Sequence, residues 1–259
     1  MPAATASPFL LQRVTALAGP FGSGKTELAI GLATLAARQA REESRWTGGT
    51  VLGDLDVIKP YFRSREARES LGQAGVRLIA PSAALASADL PIVVPELRGF
   101  VARADTQVIL DVGGDSVGAR ALGSLSDVAR EADCDLLLVL NRYRPFMGSL
   151  EEVLAQARGI AAAARLDITG VVSNTNLVEE TTRQDIEWGL ELARAVALAL
   201  GAPLRLLALP EHLASAFEAL PDLPPAVVVR RRMLPVFLGG VVLAAPAPPS
   251  TRPSRGAAL

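Results

Sequence analysis

Eight residues, Gly19-Pro20-Phe21-Gly22-Ser23-Gly24-Lys25-Thr26, have the spacing G-x-x-x-x-G-K-[ST]. A loop of this kind cradles phosphates with its backbone N–H groups. Its lysine reaches the β- and γ-phosphates and its hydroxyl ligates magnesium. Gly19, Gly22 and Gly24 let the backbone approach a ligand closely. The apolar run 14–18 precedes the loop and a helical stretch opens at Lys25, so a bound anion would face a helix N-terminus. Ser23 inside the loop and Glu27 in the first turn after it complete this part of the expected nucleotide-binding set.

A phosphate loop leaves its metal half-held, so carboxylates are sought at the ends of other apolar runs. Asp111 ends the run 107–112 and begins Asp-Val-Gly-Gly, a D-x-x-G. It is placed to hold magnesium through water, with the Gly114 N–H sensing the γ-phosphate. Asp54 and Asp56 end the run 50–55, where either would orient the attacking water or complete the metal shell. The expected metal set is therefore Thr26, Asp54 and Asp111. Lys25, Asp54, Asp56 and Arg63 are the candidates for work on the reacting phosphate. Arginines cluster in two places, Arg63 with Arg65 and Arg142 with Arg144. An arginine finger, a grip on an acidic substrate or partner, and a solvated basic loop all fit that composition. Tyr61 and Phe62, beside Arg63, would dock a partner from a switch loop or anchor the loop to the core.

Positioning these groups requires alternating elements. Apolar runs at 14–18, 50–55, 77–80, 107–112, 135–140, 168–173 and 204–209 read as strands, most without polar alternation, as when both faces are buried. Helical stretches lie at 25–39, 95–104, 116–131, 150–165 and 183–200. Ser149 with Glu152, and Thr181 with Gln184, have the spacing of capping boxes. Alternating strands and helices imply βαβ units and a three-layer, doubly wound α/β fold with a mostly parallel sheet. Residues 1–245 read as a single domain and 246–259, rich in Pro, Ala, Ser and Arg, as a disordered tail.

The chain has 259 residues, half of them hydrophobic, and a net charge of −1, which gives no electrostatic footprint for nucleic acid. One cysteine, Cys134, excludes an internal disulfide. No signal-peptide layout opens the sequence and no apolar run approaches the length of a bilayer span, so a cytoplasmic location is expected. Residues 227–234 set apolar beside basic residues, but Pro235 and Gly239-Gly240 break an amphipathic helix there. A final strand or a segment packed on the sheet is expected instead, and membrane binding is not.

The order of phosphate loop, acidic motif, D-x-x-G and Asn-bearing loop resembles the SIMIBI class of P-loop NTPases. That class includes the MinD/ParA ATPases, the metallochaperone GTPases and the signal-recognition GTPases. The loop wording Gly-Pro-Phe-Gly-Ser-Gly-Lys-Thr is most similar to the metallochaperone GTPases, and Asp54-Leu55-Asp56 to MinD/ParA proteins. Pro20 stands where the MinD/ParA resemblance implies a signature lysine, so transactivation by that lysine is not implied. The GTPases of the class read guanine with Asn-Lys-x-Asp. Here the stretch is Ser173-Asn174-Thr175-Asn176-Leu177, with an amide where the carboxylate would be. An amide both donates and accepts, which suits adenine. Asn174, Asn176 and Pro210, in the loop after the last long strand, are thus the expected adenine-side contacts. The resemblance implies a magnesium-dependent, switch-type ATPase acting on a protein partner, with a possible nucleotide-dependent homodimer. An ATP-dependent small-molecule kinase or synthetase, a metallochaperone-type GTPase and a nucleotide-dependent scaffold are the alternatives.

Overall fold

The computed structural model describes residues 11–43, 45–56, 65–80, 95–114, 116–217 and 222–230. Its strands are β1 (Val14–Ala18), β2 (Thr50–Asp54), β3 (Val76–Ile79), β4 (Gln107–Asp111), β5 (Asp135–Leu140), β6 (Gly170–Ser173), β7 (Leu204–Pro210) and β8 (Ala226–Val229). The helices are α1 (Lys25–Glu43), α2 (Arg65–Gln73), α3 (Pro95–Ala102), α4 (Ser116–Gly123), α5 (Ser126–Glu131), α6 (Leu150–Ala164), α7 (Arg183–Leu200) and α8 (Ala214–Phe217). The strands form one eight-stranded sheet in the order β3-β2-β4-β1-β5-β6-β7-β8, and every neighbouring pair is parallel. This is the expected three-layer α/β P-loop NTPase fold.

Burial on both faces explains the unalternated apolar runs. In β5, Leu137 and Val139 pack with Leu28, Leu32 and Ala33 of α1. Leu136 on the opposite face joins Leu122 of α4 and Ala129 of α5, while Leu138 and Leu140 meet Val153 of α6 and Val196 of α7. Each such leucine contributes about 1.5–3 kcal/mol by leaving water. The same argument holds for β1, β2, β4 and β6, which are buried from end to end.

Several elements differ from the sequence expectation. The stretch 116–131 is two helices rather than one. The chain turns at Ser124, whose hydroxyl donates to Ala121 O at 2.6 Å, and drives Leu125 fully into the core. Gly123 abuts α6 so closely that a Cβ there would lie 2.3 Å from Ala163 O, so α4 has no room to continue as expected. Helix α2 was not anticipated, because among its described side chains Leu71 alone joins the apolar core, and a single contact makes no periodic stripe. The Ser149–Glu152 capping box forms as expected. That of α7 forms one residue later than expected, between Thr182 and Asp185. Thr181 cannot serve, since its buried hydroxyl donates to Val178 O at 2.7 Å and accepts from Leu177 N at 2.9 Å.

The C-terminal basic–apolar stretch enters the sheet as β8, with Val227, Val228 and Val229 registered on Ala208, Leu209 and Pro210. Arg230 pairs with Glu211 at the surface. The apolar segment 234–245 and the tail 246–259 lie outside the described residues. No described helix is long and apolar enough to cross a membrane.

The displaced cap is directly testable. Thr182→Ala is expected to cost about 1 kcal/mol of stability in denaturant unfolding. Gln184→Ala is expected to change it by less than about 0.5 kcal/mol. A larger loss for Gln184→Ala than for Thr182→Ala would contradict the observed capping box.

Candidate nucleotide site

Strand β1 lies between β4 and β5, and the chain builds β2, β3 and β4 on one side before β5 to β8 on the other. A crevice opens at such a reversal, outside the carboxyl ends of the strands. Register places Leu17 opposite Asp111, Asp54 also opposite Asp111, and Ala18 opposite Leu138. The phosphate loop therefore leaves β1 between Asp111 and the residue that follows β5, Asn141.

The loop is closed on itself. Ser23 N donates to Pro20 O at 3.2 Å, and Leu28 N donates to Gly24 O at 3.0 Å as α1 begins. Lys25 is buried, and its Nζ donates to Pro20 O at 3.0 Å. Gly24 has φ +84°, and a Cβ there would sit 2.4 Å from Asn174 Nδ2. Both conformation and space thus require glycine. Beside the loop lies a cavity of about 210 Å³ that Lys25, Thr26, Glu27 and Asp56 line together with Asp111 and Gly114. The D-x-x-G segment touches the loop itself, since a Cβ on Gly114 would meet Phe21 N and Cα at 2.7 Å.

The carboxylates divide their roles. Asp111 is buried, its carboxyl receives a hydrogen bond from Thr26, and its Oδ1 has no hydrogen-bond partner among the described residues. An orphaned carboxylate oxygen beside a threonine hydroxyl is the donor set that a hard divalent cation takes. Burial pushes the Asp111 carboxyl up to about 6, despite the Thr26 hydrogen bond and the nearby Lys25 charge; the Asp56 carboxylate adds to the rise. Asp54 is equally buried, but its Oδ1 accepts from Asp56 N at 2.8 Å. It is Asp56, not Asp54, that lines the cavity.

The expected base-side residues sit differently from their sequence reading. Asn174 is buried, and its Nδ2 donates to Ser23 O at 2.7 Å, so this amide supports the phosphate loop from behind. Asn176 donates from Nδ2 to Asn174 O at 2.8 Å and accepts at Oδ1 from Val178 N at 3.4 Å, both within its own loop. Pro210 ends β7 half-buried, registered on Val229, and does not line the cavity. Arg63 lies outside the described residues. Arg142 is a structural anchor: Nη1 donates to Trp188 O at 2.7 Å, and its guanidinium lies 4.1 Å over the Trp188 ring. Sequence reasoning missed Asn141 and Thr175, which join the loops after β5 and β6. Asn141 Nδ2 donates to Asn176 O at 3.2 Å, and Thr175 Oγ1 accepts from Arg142 N at 3.1 Å. Their signal was a polar residue immediately after a wholly apolar strand.

No protein-family model matches this chain, and no curated protein does. Among solved structures, it is similar to the cell division protein FtsY of Thermotoga maritima, with 20% identity and a TM-score of 0.50 over 82% of this chain and 66% of that one. It is also similar to the signal recognition particle receptor FtsY of Elizabethkingia anophelis in complex with GDP, with 20% identity and a TM-score of 0.49 over 80% of this chain and 60% of that one. The chain spans less than two thirds of the length of either neighbour. At this identity the first likeness shows a shared fold.

The raised Asp111 carboxyl has a consequence for stability. In the unfolded chain an aspartate titrates near 4. Between that value and about 6 the folded protein holds a proton that the unfolded chain has released. This group's contribution to stability is therefore present at low pH and is lost as pH rises through that window. Asp111→Asn removes the loss. Without nucleotide, the variant is expected to be more stable than wild type at pH 7 by on the order of 1–3 kcal/mol, with the gap closing towards pH 4. Thermal melts across pH 4–7 measure it, and a gap that does not vary with pH would contradict the assignment.

Proposed function

We propose that this chain is a magnesium-dependent, ATP-binding switch protein that slowly hydrolyses ATP to ADP and phosphate and whose nucleotide state governs contact with a protein partner. The observation that carries this reading is the seating of Gly114 against Pro20 and Phe21, at the same cavity that Lys25, Thr26 and Asp111 line. A γ-phosphate cradled by the loop would arrive beside the Gly114 N–H, so the D-x-x-G segment must answer its presence.

Each residue then has a task. Lys25, whose charge rests on Pro20 O, leaves that carbonyl for the β- and γ-phosphates. Thr26 and Asp111 would hold magnesium, which would supply charge neutralisation at the phosphates. Asp56, fixed through its N–H by the buried Asp54, orients the attacking water and accepts its proton. Asn174 keeps the loop in shape from behind. The Asn174-Thr175-Asn176-Leu177 loop contains no carboxylate to accept from the N1–H and N2 amine of guanine, which supports adenine as the base. Phe21 on the phosphate loop and Phe146 in the loop after β5 are 58% and 63% exposed. These rings suit a protein partner whose contact depends on the state of the loop.

Equilibrium binding with labelled nucleotides tests the reading. Wild type is expected to bind Mg-ATP more tightly than Mg-GTP. Lys25→Ala is expected to weaken Mg-ATP about 10- to 100-fold, the loss of a charge-assisted contact. Tighter GTP binding would overturn the adenine assignment alone. No binding of either nucleotide would overturn the whole proposal.

A further inference from the structure

Arg142 and Arg144, two positions apart in one loop, behave oppositely. The loop follows β5 and is fixed at many points. Asn141 is buried and its Oδ1 accepts from Tyr143 N at 3.1 Å, Arg144 N donates to Asn141 O at 3.0 Å, and Met147 N donates to Arg144 O at 3.2 Å. Met147 is fully buried and Phe146 holds φ +63°, so the turn is pinned to the core at its far end. The Tyr143 hydroxyl donates to Asp185, and its ring lies 5.2 Å from that of Trp188, to which Arg142 is also bound. Arg144 is the member of this turn whose side chain runs towards the phosphate loop. A Cβ on Gly22 would lie 3.2 Å from both Cδ and Nε of Arg144. No hydrogen bond or ion pair engages its guanidinium among the described residues.

We infer that Arg144 is the arginine, supplied by the same chain, that neutralises charge developing on the transferred phosphoryl group. The inference rests on the hydrolytic reading above. Gly22 itself lines the cavity and Arg144 does not, so a side chain packed on Gly22 stands at the rim of the phosphate cradle, within reach of it. In hydrolysis the water oxygen bonds to the γ-phosphorus and the bond from that phosphorus to the β–γ bridging oxygen breaks. The bond's electron pair stays on ADP, and the proton of the water leaves through Asp56. Negative charge therefore grows at the bridge and on the equatorial oxygens, which a planar guanidinium can meet with two donors. Lys25 faces the same phosphates from the buried side, and Arg144 adds a second cation from the solvent side. A rigid turn carrying a side chain without a fixed partner gives a preorganised base and a head able to follow the charge.

The test uses the full chain and separates ground-state from transition-state contacts. Wild type, Arg144→Ala and Arg144→Lys are compared for turnover of Mg-ATP. They are also compared for equilibrium binding of Mg-ADP, a non-hydrolysable ATP analogue, and Mg-ADP with aluminium fluoride. Arg144→Ala is expected to lower kcat about 100-fold or more, Arg144→Lys to recover part of it, and free guanidinium to restore part of the alanine variant's rate. Affinity for Mg-ADP and the analogue is expected to stay within about 3-fold of wild type, while the aluminium fluoride complex weakens in step with kcat. Equal weakening of all three complexes would overturn the inference in favour of plain nucleotide binding. Wild-type turnover and aluminium fluoride affinity in Arg144→Ala would overturn it outright and leave the hydrolytic reading standing. Wild-type protein that binds none of the nucleotides would remove both.

Discussion

One buried hydrogen bond, from Asn174 Nδ2 to Ser23 O at 2.7 Å, holds the two halves of the site together. The phosphate loop leaves β1, while Asn174 follows β6, two strands away. The contact is close enough that Gly24 has no room for a side chain. Losing the amide would leave a buried carbonyl unpaired, at a cost of about 1–3 kcal/mol. The same loop after β6 receives Asn141 at Asn176 O and Arg142 at Thr175 Oγ1. The phosphate loop, the arginine-bearing loop and the Asn174 loop are consequently one hydrogen-bonded body. Displacement of any of them by a ligand is felt by the other two.

The opposite wall of the crevice carries two buried carboxylates, each with a hydrogen bond. Asp111 and Asp54 are register partners on adjacent strands and are both nearly inaccessible to water. Two buried carboxylates side by side are costly unless something positive joins them. Asp54 uses one oxygen to hold Asp56 N, whereas Asp111 keeps one oxygen without a hydrogen-bond partner among the described residues. A fold that buries such a group without need would lose stability for nothing, and a site that binds a cation recovers the cost on binding. Burial thus disfavours the charged form of Asp111, the form that the proposed magnesium site would use.

How much of this was legible in the sequence follows from the range of the interactions concerned. The β1–loop–α1 unit and the D-x-x-G are local patterns whose residues sit next to one another in the chain, and both follow their strands and line one cavity. The strands were visible because burial on two faces leaves a continuous apolar run. Helix α2 was invisible because a surface helix with one buried leucine has no stripe. The division of 116–131 was equally hidden, since it depends on Ala163 O meeting Gly123, a contact between residues far apart in sequence. The setting of Asn174 differs most from its sequence reading. Composition offered an amide near a base, but the register of β6 against β5 and the position of the phosphate loop turn that amide inward to Ser23. Proximity of Thr181 and Thr182 concealed which hydroxyl caps α7, because the choice is made by the turn at Val178, at φ +61°.

The separation of Arg142 from Arg144 shows what the sheet adds to a cluster of like residues. As sequence, Asn141-Arg142-Tyr143-Arg144 is a basic turn with no preference between its arginines. Trp188 breaks the symmetry: its ring and carbonyl both take Arg142, which therefore binds the turn to α7. Tyr143 joins the same helix through Asp185. With its two preceding neighbours bound on the α7 side, the backbone of the turn presents the next residue to the opposite side, where Gly22 lies. Gly189 makes this docking possible, since a Cβ there would strike Thr175 at 2.3 Å and push away the loop that accepts Arg142 N. An arginine committed to structure is thereby what leaves its neighbour available for the proposed chemistry, and the selection is made by an aromatic residue on a helix whose own residues do not line the cavity.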